Sequence, residues 1–189
     1  MLHMRVLGLD PGSRRTGFGV VERHGNRLRC VEHGCLSPRA TDSLPLRLHH
    51  LAREVGVIMD RVAPDAVVVE EAFFRENVRS VLVLGHVRGA LIVAAVERGI
   101  PVAEYSPREI KLGVTGNGGA AKEQVAFMVR RLLALAETPP ADAADALAGA
   151  LCHLNRSRFA IPGPPVAAAK RLEALLARAV PRAVPRAVR

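Results

Sequence analysis

Tryptophan is absent from this chain of 189 residues, and tyrosine occurs once. With only five phenylalanines besides, a core of stacked aromatics is excluded. The interior must come from Val, Leu, Ile and Ala, in a chain that is 49% hydrophobic. Cysteine is scarce too: Cys30, Cys35 and Cys152, with no CxxC pair and an odd total. That argues against a disulfide framework or a thiolate metal centre and suits a reducing compartment. No apolar run is long and clean. Asp10, Arg14 and Arg15 interrupt the first one, so no signal-peptide core is legible. The run 81–96 contains His86 and Arg88 and reads as a helix of a soluble protein, not a membrane span. The expectation is a soluble, cytoplasmic protein with no membrane partner.

Negative charge is in short supply as well. The net charge is +9, and its distribution is uneven. Residues 156–189 hold 8 Lys/Arg and 1 acid, while residues 1–155 hold 19 basic and 17 acidic residues. A near-neutral body therefore carries a strongly basic tail, which favours polyanions, nucleic acid first. The tail contains "IPGPP" and the repeat "RAVPRAVPRAVR". Proline every fourth residue forbids a continuous helix. Residues 1–156 read as one domain and 157–189 as a disordered basic Pro/Ala/Arg-rich tail.

Within the body, residues 4–10, 17–22 and 28–36 read as strands joined by short turns, an antiparallel meander. Residues 44–62 carry apolar side chains at helical spacing. Residues 65–71 hold an apolar run too short for a helix and suit a buried central strand. A long helix over 77–99, a short strand over 102–105, and helices at 107–112, 120–135 and 142–154 follow. The order βββαβαβααα predicts an α/β fold with a mixed five-stranded sheet flanked by helices, the ribonuclease H-like arrangement.

Two carboxylates close apolar strands: Asp10 ends "RVLGLD" and Glu70 ends "AVVVE". A charge there is costly unless it is paired, solvated or bound to a metal. Glu71 should point to the other face, because strand side chains alternate. Asp142 and Asp145 are three residues apart and share a helix face. Each feature alone has an ordinary explanation. "DPG" is a common turn, and Asp142 and Asp145 could be an N-cap and a first-turn acid. Together, four hard oxygen donors at the ends of separate elements suit Mg²⁺ or Mn²⁺, with two ions activating water against a phosphodiester.

The stretches "GLDPGSRRTGFGVV", "DAVVVEEAFFRENVRSVLVLGHVRGALIVAA", "GNGGAAKEQV" and "ADAADALAGAL" resemble, in order and spacing, the RuvC family of Holliday junction resolvases. The resemblance covers about residues 4–155. It implies a crossover junction endodeoxyribonuclease of DNA recombination and repair, with Asp10, Glu70, Asp142 and Asp145 as the metal-binding catalytic quartet. It also implies a homodimer and a branch-migration partner, RuvA with RuvB.

Other residues join this reading. Phe73 and Phe74 stand beside Arg75 and Arg79 and suit base stacking on DNA, although either Phe could equally be core. The resemblance favours Phe73. Gly85 and Gly89, four apart on one helix, permit close approach to the sheet or to a second subunit; the resemblance favours a dimer interface. Only three lysines occur, against 24 arginines. Lys111 and Lys122 flank "TGNGG", which fails the Walker pattern because Ala121 and Glu123 stand where Gly and Ser/Thr should be. The resemblance makes both lysines phosphate contacts. No histidine pair at metal-ligand spacing is evident. The competing readings are an inactive junction-binding protein and another nuclease of the same fold. An actin-like ATP-binding fold needs two lobes, for which the chain is too short.

Overall fold

The computed structural model describes residues 3–71 and 78–157. Three strands open it, β1 (His3–Asp10), β2 (Thr16–His24) and β3 (Arg27–Leu36). β2 pairs antiparallel with both neighbours, and Gly25, with φ +58°, makes the β2–β3 turn. Helix α1 (Leu44–Val62) returns the chain so that β4 (Ala66–Glu70) lies parallel to β1. Helix α2 (Val78–Val96) then brings β5 (Val102–Tyr105) parallel to β4. Three helices complete the described chain: α3 (Pro107–Thr115), α4 (Lys122–Leu132) and α5 (Ala141–Ser157). The sheet order is β3-β2-β1-β4-β5, the expected mixed five-stranded arrangement. The predicted helix over 120–135 ends earlier, at Leu132, and Ala134 takes a left-handed φ of 50°.

Alternation along the central strands assigns the two faces. Val6 and Val68 join Leu147, Leu151 and Leu154 of α5, with α3 and α4 beyond. Leu7, Leu9, Val67 and Val69 face Leu51, Val55 and Met59 of α1 and Leu91 of α2. The even-numbered positions of β1 and β4 therefore look toward α5, and Asp10 and Glu70 continue that series.

Helix α5 lies very close to the sheet. Gly8, Gly17 and Gly19 remove the side chains that would hold it off. A Cβ at Gly8 would run into the Ala146 carbonyl, and one at Gly17 into the Asp142 carbonyl. At Gly19 it would lie 2.6 Å from Leu147 Cγ. The helix answers with small residues of its own: Ala143, Ala144, Ala146, Ala148 and Ala150 are all buried. Backbone-to-backbone packing of this kind fixes the position of α5 tightly, because no side-chain rotamer can take up slack.

Helix α2 is apolar and long enough, by length and composition alone, to cross a membrane. Here one side of it packs on α1 and the sheet through Val87, Leu91 and Ala95. Its other side is open, with Val78, Leu82, Val93 and Val96 exposed by 69, 61, 54 and 49%.

Candidate active site

β1 and β4 run parallel and their last paired residues, Leu9 and Val69, are side by side. Asp10 and Glu70 therefore leave the sheet together at one edge, on the α5 face. The close seat of α5 carries the first turn of that helix to the same edge, where Asp142 backs onto Gly17, the register partner of Asp10. Asp145 is one turn further along the helix. The four predicted carboxylates thus come from β1, β4 and α5.

Their electrostatics report crowding. The Asp10 carboxyl is pushed up to about 7, first by burial and then by repulsion from Glu70, Asp145 and Asp142, against an opposing pull from Lys122. Glu70 is raised as well, by burial and by Asp145, with Lys122 and Lys111 opposing. These are acids held together without enough positive charge to balance them. Two further contacts pair acids of the group directly with cations. Lys122 Nζ lies 2.6 Å from Asp145 Oδ2, a bond that raises the lysine in turn. Arg15 Nε lies 3.6 Å from Asp142 Oδ2.

Local chain chemistry positions the two lysines. Helix α3, which carries Lys111, starts with Pro107 and a capping box. Glu109 N donates to Ser106 Oγ, and Ser106 N donates to Glu109 Oε2; a cap of this kind is worth about 1 kcal/mol. Gly116, at φ 76°, stops the helix. The "TGNGG" stretch is a turn organised by its own side chains, with Asn117 N donating to Thr115 Oγ1 and Gly119 N to Asn117 Oδ1. It delivers Lys122 as the first residue of α4, facing α5.

A cleft of about 770 Å³ runs past these groups, lined by Asp10, Glu70, Asp145, Lys111 and Lys122, with Arg88 and Arg108. Glu71 also lines it. The cleft also reaches Leu84 and Arg88 of α2, on the other side of the sheet from α5. Gly85 and Gly89 are exposed on α2, and an added Cβ at either would meet nothing within 4 Å. Their small size therefore serves no packing within the described chain. Arg79 is exposed at the start of α2 and is not among the residues lining the cleft. Phe73, Phe74 and Arg75 lie outside the described residues.

Sequence reading missed Arg15, Arg88 and Arg108, three of many arginines with no local pattern to single them out. It also missed a grouping at the far end of the sheet. The register of β1 and β2 brings His3 opposite His24, their rings 4.3 Å apart, with Glu22 between them. Among the described residues this is the group of three whose metal-ligating atoms all lie within 4.8 Å. Glu22 is, however, already bonded by Arg5 and Arg29 at 2.9 and 2.8 Å. Two guanidiniums beside it oppose a further cation. The donor set at the Asp10 edge is different in kind, all oxygen and in excess of positive charge, and it fits a hard divalent ion.

Comparison with known proteins bears on the whole body of the chain. Residues 6–153 match the family described as crossover junction endodeoxyribonuclease RuvC. A protein of that name from Trichlorobacter lovleyi is 47% identical over 169 residues, covering 89% of this chain and 95% of its own. One from Alkalilimnicola ehrlichii is 50% identical over 153 residues, covering 81% and 92%. The structure of Thermus thermophilus RuvC in complex with Holliday junction substrate superimposes with a TM-score of 0.79 at 39% identity, over 82% of this chain and 96% of that one. Sequence and fold agree over the same residues, and the chain belongs to the RuvC family of crossover junction endodeoxyribonucleases.

Proposed function

We propose that the chain is a divalent-metal-dependent endonuclease that resolves four-way DNA junctions by paired, symmetric nicks. The observation that carries this reading is the convergence of Asp10, Glu70, Asp142 and Asp145 at one sheet edge, with Asp10 raised to about 7 by burial and mutual repulsion. These four side chains would hold Mg²⁺ or Mn²⁺, two ions per site. Bound there, the ions supply Lewis-acid chemistry: a more acidic water and charge relief on the phosphodiester. The rest of the work falls to the protein. Lys122 exchanges its carboxylate partner for a backbone phosphate. Lys111 and Arg108 line the same cleft and hold further phosphates, which positions the strand without reading its bases. Phe73, Phe74, Arg75 and Arg79 follow Glu70 in the sequence and are assigned to DNA contact, with Phe73 at the junction centre.

The second copy of the chain binds on α2. Val78, Leu82, Gly85, Gly89, Val93 and Val96 recur at intervals of three and four residues and so form one stripe. Its large apolar members are exposed, which supports an interface between copies. A two-fold dimer presents two equivalent cutting centres to two equivalent strands. The working partners are junction DNA, the second subunit and the RuvA–RuvB branch-migration complex, in the cytoplasm.

The test is cleavage of a synthetic four-way junction beside a matched linear duplex, in Mg²⁺, Mn²⁺ or EDTA. Symmetric, metal-dependent cuts in the junction alone are expected, with Asp10→Asn slower by at least about 100-fold, a loss of roughly 2.7 kcal/mol of transition-state stabilisation. Binding without cutting under every metal would make this a junction-binding protein. Equal cutting of duplex would keep the chemistry and discard the substrate.

A further inference from the structure

Strand β4 reaches the site at its last residue, Glu70. Its ladder to β1 pairs Leu9 with Val69, and Glu70 is paired with Tyr105 of β5. Glu71 N donates to the Tyr105 carbonyl at 2.9 Å, in line with that pairing. The direction of the Glu70 side chain depends on the orientation of the peptide that follows it, and that peptide has a partner from outside the sheet. Arg88 Nε of α2 donates to the Glu70 carbonyl at 2.9 Å. The same guanidinium donates from Nη2 to Glu104 Oε2 at 2.6 Å. Glu104 belongs to β5, so one side chain ties α2, the end of β4 and β5 together. The Arg88 side chain is 17% exposed, which leaves it well sheltered from water.

We propose that Arg88 is a positioning residue: braced on Glu104, it holds the Glu70 carbonyl and thereby aims the Glu70 carboxylate at the metal site. This rests on the functional reading above. The guanidinium suits the task because its planar fork presents several donors in fixed directions. A lysine ammonium in its place could reach one of the two oxygens but would not brace the other in the same geometry. Arg88 also lines the cleft, and a direct phosphate contact is the rival role. The two roles differ in what they would change. Aiming a metal ligand governs cation affinity, whereas a phosphate contact governs DNA affinity.

The experiment uses the full chain and the variants Arg88→Gln, Arg88→Lys and Glu104→Gln. Three quantities are measured: Mn²⁺ affinity by calorimetric titration without DNA, the Mg²⁺ concentration for half-maximal junction cleavage, and junction binding in EDTA. Thermal melts establish that each variant is folded. For Arg88→Gln, Mn²⁺ affinity should fall by about tenfold or more, the usual consequence of removing a group that orients a metal ligand. The Mg²⁺ requirement should rise by a similar factor, while binding in EDTA stays within about twofold. Arg88→Lys should recover part of the loss, and Glu104→Gln should move in the same direction by less. Unchanged cation affinity in a folded Arg88→Gln overturns the proposal. Weakened binding in EDTA with an unchanged Mg²⁺ requirement overturns it too, in favour of the phosphate contact. A native chain that binds Mn²⁺ but does not cut junctions would instead refute the functional reading, and Mn²⁺ titration of the variants would still judge Arg88.

Discussion

Glu22 and Asp10 are both acids on central strands, and their surroundings push them in opposite directions. Burial raises the Glu22 carboxyl, but hydrogen bonds from Arg29 and Arg5 outweigh it and hold the group down at about 2. Glu22 is 2% exposed, so its charge survives only through those partners. Folding therefore favours the ionised form, and the resulting stability is present above its ordinary value of 4.5 and lost as pH falls through about 2. The expected outcome is a gap in Tm between the native chain and Glu22→Gln that is widest near about pH 6 and closes toward about pH 2, followed by calorimetry. Among the described residues no arginine bonds Asp10 in this way, and its unbalanced charge is what a metal site needs. The sequence made this contrast half visible. A carboxylate after "RVLGL" and another after "AVVV" are conspicuous because each ends an apolar run. Glu22 attracted no notice, because its cations come from residues 5 and 29, brought alongside only by strand pairing. Arg88 was equally hidden, since its acceptors are a backbone carbonyl and a glutamate on a neighbouring strand.

At the scale of elements, every strand and helix of the described residues was legible from periodicity and turn residues, with boundaries displaced by a few residues. What periodicity could not convey was how near α5 lies to β1 and β2. Gly8 sits within an apolar strand and Gly17 at the start of another, and nothing local marks them as the floor of a groove. Their effect belongs to the helix. Gly17→Ala drives a Cβ into the Asp142 carbonyl and should cost about 1–3 kcal/mol of stability. Junction cleavage should fall further than that loss explains when assayed far below the melting temperature, because the start of α5 moves and carries Asp142 and Asp145 with it. A native cleavage rate in a folded Gly17→Ala would show that the seat of the helix is not what sets the site. Helix α2 invites a different test. Leu82 is 61% exposed in its apolar stripe, and Leu82→Glu should convert the proposed dimer to a monomer in sedimentation and abolish paired cutting.

The whole molecule divides its charge between a near-neutral body and a basic tail. The family model matches residues 6–153, and we propose that residues 1–156 carry the chemistry while 157–189 add only Coulombic attraction. Removing residues 160–189 should leave junction cleavage intact and weaken binding mainly at low salt, where counterion release rewards each cation most. Binding isotherms at about 50 and 200 mM salt would measure this, and loss of cutting at moderate salt would contradict it. The order of elements along the chain has one more consequence. On the proposed roles, α5 supplies two of the four acids, and it is the last helix of the described residues. A ribosome that has released β1 through β5 has made half a metal site and nothing that can cut. A chain ended early by a frameshift or a protease nick ahead of Ala141 is not a feeble nuclease but no nuclease at all. On those roles the capacity to break DNA arrives only with α5, so fragments that end ahead of it pose no danger to the DNA they meet.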